Sequence, residues 1–347
     1  MRTLRQYRLW LPAFVVGLVG CMDFGPSEPE HFEVSGRSVL ICNEGNFMYG
    51  NASLSCYLPT TEEVDNEIFI RANDMRLGDV AHSVTLHDSI LYVVVNNSGV
   101  VFAIDSETFT LRGALTGVNS PRYLHIASAT KGYISDLYDS RINIFNPQTM
   151  ALTGHIATPS HPSTECLIAL DERLFVNCWS RDNTILAIDT ATDSVCDSIH
   201  LEGQPRKMVV DSNKRLWVVT DCGTDGKSTP RLYRLSSNPL AIESTIILPH
   251  LGPVDLDTNT SGNTIYLLNR HIWVMDTSAE ELPPSPLIEA DGRLLYSIGV
   301  DPYNDDIYAA DALDYIQSGV VFRYNRYGTL LDSFTAGIIP GSFCFKK

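Results

Sequence analysis

The sequence predicts an all-β chain folded as a seven-bladed β-propeller, with the ring closed by a C-terminal strand that completes the first blade. Three observations carry this. Beyond residue 36 no window sustains a 3.6-residue apolar period; short runs rich in Val, Ile, Tyr, Phe and Trp alternate instead with clusters of Gly, Asn, Asp and Pro. A hairpin signature, in which an apolar strand end meets an Asp/Asn/Ser/Pro/Thr turn and then a second apolar run, recurs seven times. Its aligned residues Tyr57, Ile104, Phe145, Ile188, Leu235, Met275 and Tyr324 are 40 to 49 positions apart, the period of blades built from four short strands. A second series of seven apolar strands ending in polar residues, from VLICNEGN to IYAADALD, precedes the first.

The elements follow in chain order. Arg2, Arg5 and Arg8 precede a 12-residue apolar stretch, Leu9 to Gly20, too short to span a bilayer, so residues 1–20 read as a secretory signal. Leu18-Val19-Gly20-Cys21 resembles the bacterial lipobox, which makes Cys21 the expected lipidated N-terminus and the membrane a partner through that anchor. Residues 21–36 carry Pro26, Pro29 and several acids without apolar periodicity and read as a flexible tether. The acids Asp23, Glu28 and Glu30 resemble surface-export signals of Bacteroidetes lipoproteins. Residues 37–347 form the propeller. Five blades have a proline-marked inner strand, near Pro121, Pro162, Pro205, Pro253 and Pro340. The first blade has none before Ser38, whereas Ile338 to Phe345 has the form of an inner strand with nothing after it. Joining the two completes the ring and removes an open edge.

Composition narrows the function. The formal net charge is −16, and removal of residues 1–20 with their three arginines gives −16 − 3 = −19, which argues against a phosphate-tracking surface and makes nucleic acid a poor candidate partner. Eight cysteines less Cys21 leave seven, an odd number. Cys42, Cys56 and Cys344 fall on neighbouring strands of the closing blade, and Cys166 and Cys178 on neighbouring strands of another; most read as small core residues. The sequence has no His-Glu-x-x-His or Gly-x-Ser-x-Gly. Gly226-Lys227-Ser228 lacks the first glycine and the following helix of a phosphate loop. Asp257-x-Asn259-x-Ser261-Gly262 opens like a calcium loop but has Leu268 where the bidentate Glu belongs. The nine histidines are scattered, His155 and His161 being the closest pair, and neither a metal site nor a cofactor is expected.

The seven repeats resemble YncE-like propellers, and Ile41-Cys42-Asn43-Glu44-Gly45-Asn46-Phe47 with Asn51-Ala52-Ser53-Leu54-Ser55 resembles the first blade of propeller lipoproteins from Bacteroidetes. Some of that group, the BtuG-like surface lipoproteins, capture vitamin B12 and other corrinoids for a TonB-dependent outer-membrane transporter. The resemblance implies a lipid-anchored, outer-membrane, cell-surface protein that binds a corrinoid-like small molecule without transforming it. It further implies a binding face built from loops between second and third strands and between blades. The residues there would be Asn43, Glu44, Asn46, Asn96, Asn97, Asp136, Tyr138, Trp179, Arg181, Asp221, Asn269, Arg270, Asp311 and Tyr315, with His82, Arg122, Tyr123 and Arg206 from inter-blade loops. Flat aromatics among amide, carboxylate and guanidinium groups suit a large amphipathic ligand. Asn and Asp at strand ends also cap turns through their own side chains. Two other classes remain open: an exported propeller lyase of the streptogramin-degrading type, which needs a histidine and metal-binding acids on that face, and a protein-interaction platform.

Overall fold

The computed structural model describes residues 30–223 and 226–347. The signal segment and Cys21 lie outside the described residues. The described chain forms seven antiparallel sheets arranged in a ring. The first blade orders Pro340–Lys346, Ser38–Asn43, Ser53–Leu58 and Glu63–Asp65 from the centre outwards, so the last strand of the chain is the inner strand of the first blade. Leu40 pairs with Cys344 on one side and Cys56 on the other. The remaining inner strands are Ala81–His87, Pro121–Ser128, Thr164–Leu170, Gln204–Val210, Val254–Thr258 and Leu295–Val300, each followed outwards by its partners in sequence order. The sixth blade departs from the pattern, with three strands and a single bridge, Ile272 to Ile288, in place of a fourth. Its loop Thr277–Leu287 holds Pro283, Pro284 and Pro286, which donate no ladder hydrogen bond.

Second strands are apolar on both faces because blades pack face to face. Leu91 to Val95 and Leu174 to Cys178 are buried throughout, whereas the outer strands Ala151–Ala157 and Ser194–His200 are largely exposed. Aromatic rings join adjacent blades: Tyr57 stacks on Phe334 at 4.1 Å, and Tyr308 meets Phe345 at 5.6 Å. Each inner strand packs on the next, including the first blade's on both neighbours, so the ring is complete. The described cysteines are free thiols, four of them buried.

Strand direction defines two faces. On the lower face Ser38 pairs with Lys346, and on the upper face Asn43 pairs with Pro340. Residues 30–36, where composition suggested a tether, lie against the ring: Phe32 is buried edge-on to Phe109 at 5.6 Å, and the Lys346 ammonium donates to the Val34 carbonyl at 2.7 Å. The chain therefore reaches the propeller from the lower face.

Candidate functional site

Six of the seven inner strands carry a register irregularity near their upper end. Pairing skips at Gly341, His82, Arg122-Tyr123, Glu165-Cys166, Arg206 and Tyr296, whereas the sixth blade pairs regularly through Asp255. A β-bulge places two residues opposite one, bends its strand and re-aims a side chain. Repeated around the ring at one level, the bulges gather their side chains at the hub. His82, Arg122, Tyr123 and Arg206 thus belong to inner strands, not to the inter-blade loops predicted for them, because strand pairing continues above the bulge.

Glu165 is the centre of this layer. Its carboxylate, with 0% side-chain exposure, accepts two hydrogen bonds from Arg122, Nε at 2.6 Å and Nη2 at 2.7 Å, and faces His82 Nε2 at 3.2 Å and Arg206 Nη1 at 3.8 Å. Burial disfavours the charged carboxylate, but the attraction of Arg122 and the hydrogen bond from His82 outweigh it and hold Glu165 below the ordinary range. Burial, reinforced by Arg122, pushes the His82 imidazole down to about 4, so it is neutral at neutral pH.

Around this pair lies a cavity of about 270 Å³, walled by Glu44, His82, Tyr123, Trp179, Arg206, Lys207 and Tyr296 among others. The Arg206 guanidinium lies over the Trp179 ring at 4.9 Å, and Trp179 Nε1 donates to Asp221 at 3.0 Å. Lys207 lies 5.4 Å from the Tyr123 ring and 3.8 Å from Asp255. Opposite them Tyr296 donates to Glu44 at 3.0 Å. Burial raises the Glu44 carboxyl, although Arg122 and Arg206 oppose the shift. The first blade's inner strand places Gly341 at this level, and a Cβ there would stand 2.5 Å from Glu44 Oε1. Glycine leaves that space to the carboxyl. Since Arg122 is bound bidentately to Glu165, the half-buried Arg206 and Lys207 are the cations of the cavity wall, each over one aromatic ring.

The predicted strand-end residues reach the same face but bond neighbouring backbone groups and side chains. Asp136 accepts from the N–H groups of Asn119, Ser120 and Tyr138 at 2.9 to 3.1 Å, and Asp311 from those of Leu294 and Leu313 at 3.0 and 2.8 Å. Asn269 bonds both backbone groups of His250, Asn96 donates to Ser120 and Pro121, and Asn43 donates to the hydroxyls of Ser53 and Ser55. Asn97 donates to Asp79, and Asn46 to the Tyr315 carbonyl. These side chains clamp loops, the turn chemistry natural to Asn and Asp. Tyr138, Arg181 and Arg270 are exposed on the rim, where Arg181 and Arg270 make no ion pair among the described residues. Tyr315 packs edge-on to Tyr296 at 5.8 Å, and Phe47, Met48, Tyr49 and Ile316 add exposed apolar surface.

Glu165, Lys207, Asp255 and Tyr296 were missed in the sequence. Their signal was positional: Glu165, Asp255 and Tyr296 are each the second residue of an inner strand, as are His82 and Arg122, and Lys207 follows Arg206. His155 lies on an exposed outer strand, while His161 pairs with Asp182 at 2.7 Å.

The ring is similar to several solved propellers. A quinoprotein alcohol dehydrogenase-like protein from Bacteroides thetaiotaomicron superposes with a TM-score of 0.68 at 11% identity, covering 89% of this chain and 78% of that one. A provisional 6-phosphogluconolactonase from Bacteroides uniformis gives 0.67 at 15%, covering 89% and 99%. A protein from Lactobacillus plantarum gives 0.67 at 12%, covering 90% and 99%. At these identities the likeness is one of fold. No curated protein matches the sequence. The domain of unknown function DUF5074 matches residues 37–334, nearly the whole propeller, and the chain belongs to that family.

Proposed function

We propose that this protein is a lipid-anchored binding protein of the cell surface that captures an amphipathic small molecule on its upper face, a corrinoid above all, and passes it to a TonB-dependent outer-membrane transporter. The supporting observation is the hub cavity, where Arg206 and Lys207 are held over Trp179 and Tyr123 beneath a rim of exposed aromatic side chains. At about 270 Å³ the cavity admits one projecting group, not a macrocycle. A corrinoid would lie across the rim, with its amides and ring edges on Tyr138, Tyr315 and the Phe47–Tyr49 loop and an anionic group directed at Arg206. Binding without turnover is the reading because both oxygens of Glu165 are engaged by Arg122 and His82 is a buried, neutral ring. An anchor at Cys21 suits this arrangement, since the chain reaches the ring from the lower face and leaves the cavity pointing away from the membrane.

The test is size-exclusion chromatography of the soluble mature chain, residues 22–347, premixed with cyanocobalamin and followed where only the corrinoid absorbs. Co-elution at one to one supports capture, and Arg206→Ala should weaken it. Colour confined to the free-ligand volume overturns the corrinoid reading. It would leave the cavity to a smaller anion, of which a phosphorylated sugar lactone is the first to try. Release of a Cys21→Ala variant from the membrane fraction tests the anchor.

A further inference from the structure

We propose that His161, Cys178 and Asp182 form a zinc(II) site at the base of the loop that carries Trp179. A ring nitrogen of His161, the Cys178 sulfur and a carboxylate oxygen of Asp182 all lie within 4.8 Å of one another. They come from three pieces of the fourth blade: the loop before its inner strand, the end of its second strand and the turn that follows. Each is fixed by the fold. Cys178 is fully buried and pairs with Thr164 of the inner strand. Asp182 spends one oxygen on the N–H groups of Asn183 and Thr184, at 2.7 and 3.1 Å, which turns the other towards His161. Beside them Ser163 is 3% exposed, and its hydroxyl has no hydrogen-bond partner.

The donor chemistry selects the ion. A thiolate, an imidazole and a carboxylate suit zinc, whereas calcium and magnesium prefer all-oxygen sets. Zinc(II) with one thiolate, one carboxylate and a neutral imidazole has no net charge, so the ion compensates a thiolate that burial would otherwise make costly. On binding, the Cys178 S–H bond breaks as the zinc–sulfur bond forms, the proton leaves to solvent, and no oxidation state changes. Three protein ligands leave a fourth position for water. Trp179 follows Cys178 directly and its ring lies under Arg206, so the ion would brace one wall of the hub cavity.

The mature protein is titrated with cobalt(II), a spectroscopic stand-in for zinc. Wild type should bind one equivalent with a thiolate-to-cobalt charge-transfer band and quench tryptophan fluorescence, and zinc should displace the cobalt. Cys178→Ser should abolish the band, and His161→Ala, at a part-exposed position, should weaken binding at least tenfold while the protein stays folded by circular dichroism. Cys196→Ser, which removes the exposed thiol, should leave the band intact. Absence of the band in wild type, its persistence in Cys178→Ser, or unchanged affinity in His161→Ala overturns the assignment.

Discussion

Replacing Glu165 by alanine removes the carboxylate that both holds and neutralises Arg122. The Arg122 side chain is 8% exposed and Glu165 is 0% exposed, so the substitution strands a guanidinium in the interior with Arg206 as its nearest cationic neighbour. Breaking one partner of a buried ion pair costs about 3–5 kcal/mol, because the remaining charge keeps its desolvation penalty and loses its compensation. With an unfolding entropy of about 2.1 cal/mol/K per residue over a ring of roughly 310 residues, each kcal/mol lowers the melting temperature by about 1.5 °C, so the variant should melt roughly 5–8 °C below wild type. Differential scanning calorimetry of the mature protein at pH 7 measures this. The double variant Arg122→Leu with Glu165→Leu removes both members of the fully buried pair and should recover most of the loss. A Glu165→Ala shift under about 2 °C, or a double variant no more stable than the single, would refute a buried, mutually dependent pair at the hub.

His82 makes stability depend on pH with a definite sign. Its ring titrates near 4 in the fold against 6.5 for the free side chain, so the unfolded chain takes up the extra proton between those values. The contribution is whole above pH 6.5 and lost as pH falls towards 4, roughly 3 kcal/mol in all. Asp257, raised to about 6 chiefly by burial, acts in the opposite sense between pH 6 and 3.8. The melting temperature of wild type should therefore drop further from pH 6.5 to 4.5 than that of His82→Asn, and equal drops would remove His82 from the account. Trp179→Ala, which takes away the face under Arg206 and the bond to Asp221, should weaken ligand capture about tenfold in a calorimetric titration while secondary structure by circular dichroism is unchanged. Unaltered affinity would place the ligand elsewhere. Deleting residues 340–347 strips the first blade of its inner strand and opens the ring on both sides; the product should aggregate in light scattering, and a monodisperse monomer would contradict closure through this strand.

Blade number, strand order and the closing strand were legible because they rest on local chemistry repeated along the chain. An apolar run such as Leu91 to Val95 makes a strand wherever it occurs, Asp136 or Asn269 at its end clamps the loop that leads into its blade's inner strand, and seven copies at 40 to 49 residues leave one closed arrangement. The prolines marked inner strands for the same reason, and the unpaired run at the C-terminus identified the missing one. What residue type does not reveal is where a side chain points once its strand bulges. Glu165 reads as an ordinary acid in an apolar run, yet the skipped register aims it at Arg122, 43 residues away, and at His82, 83 residues away. Glu44 meets Tyr296 across 252 residues, and Cys178, unremarkable as a core thiol, meets His161 and Asp182 only because Thr164 pairs beside it. The periodic pattern by itself determined the ring, since each blade is made by contacts near in sequence. The hub was decided only by tertiary structure, because its geometry depends on the bulged registers of strands from different blades, far apart in sequence.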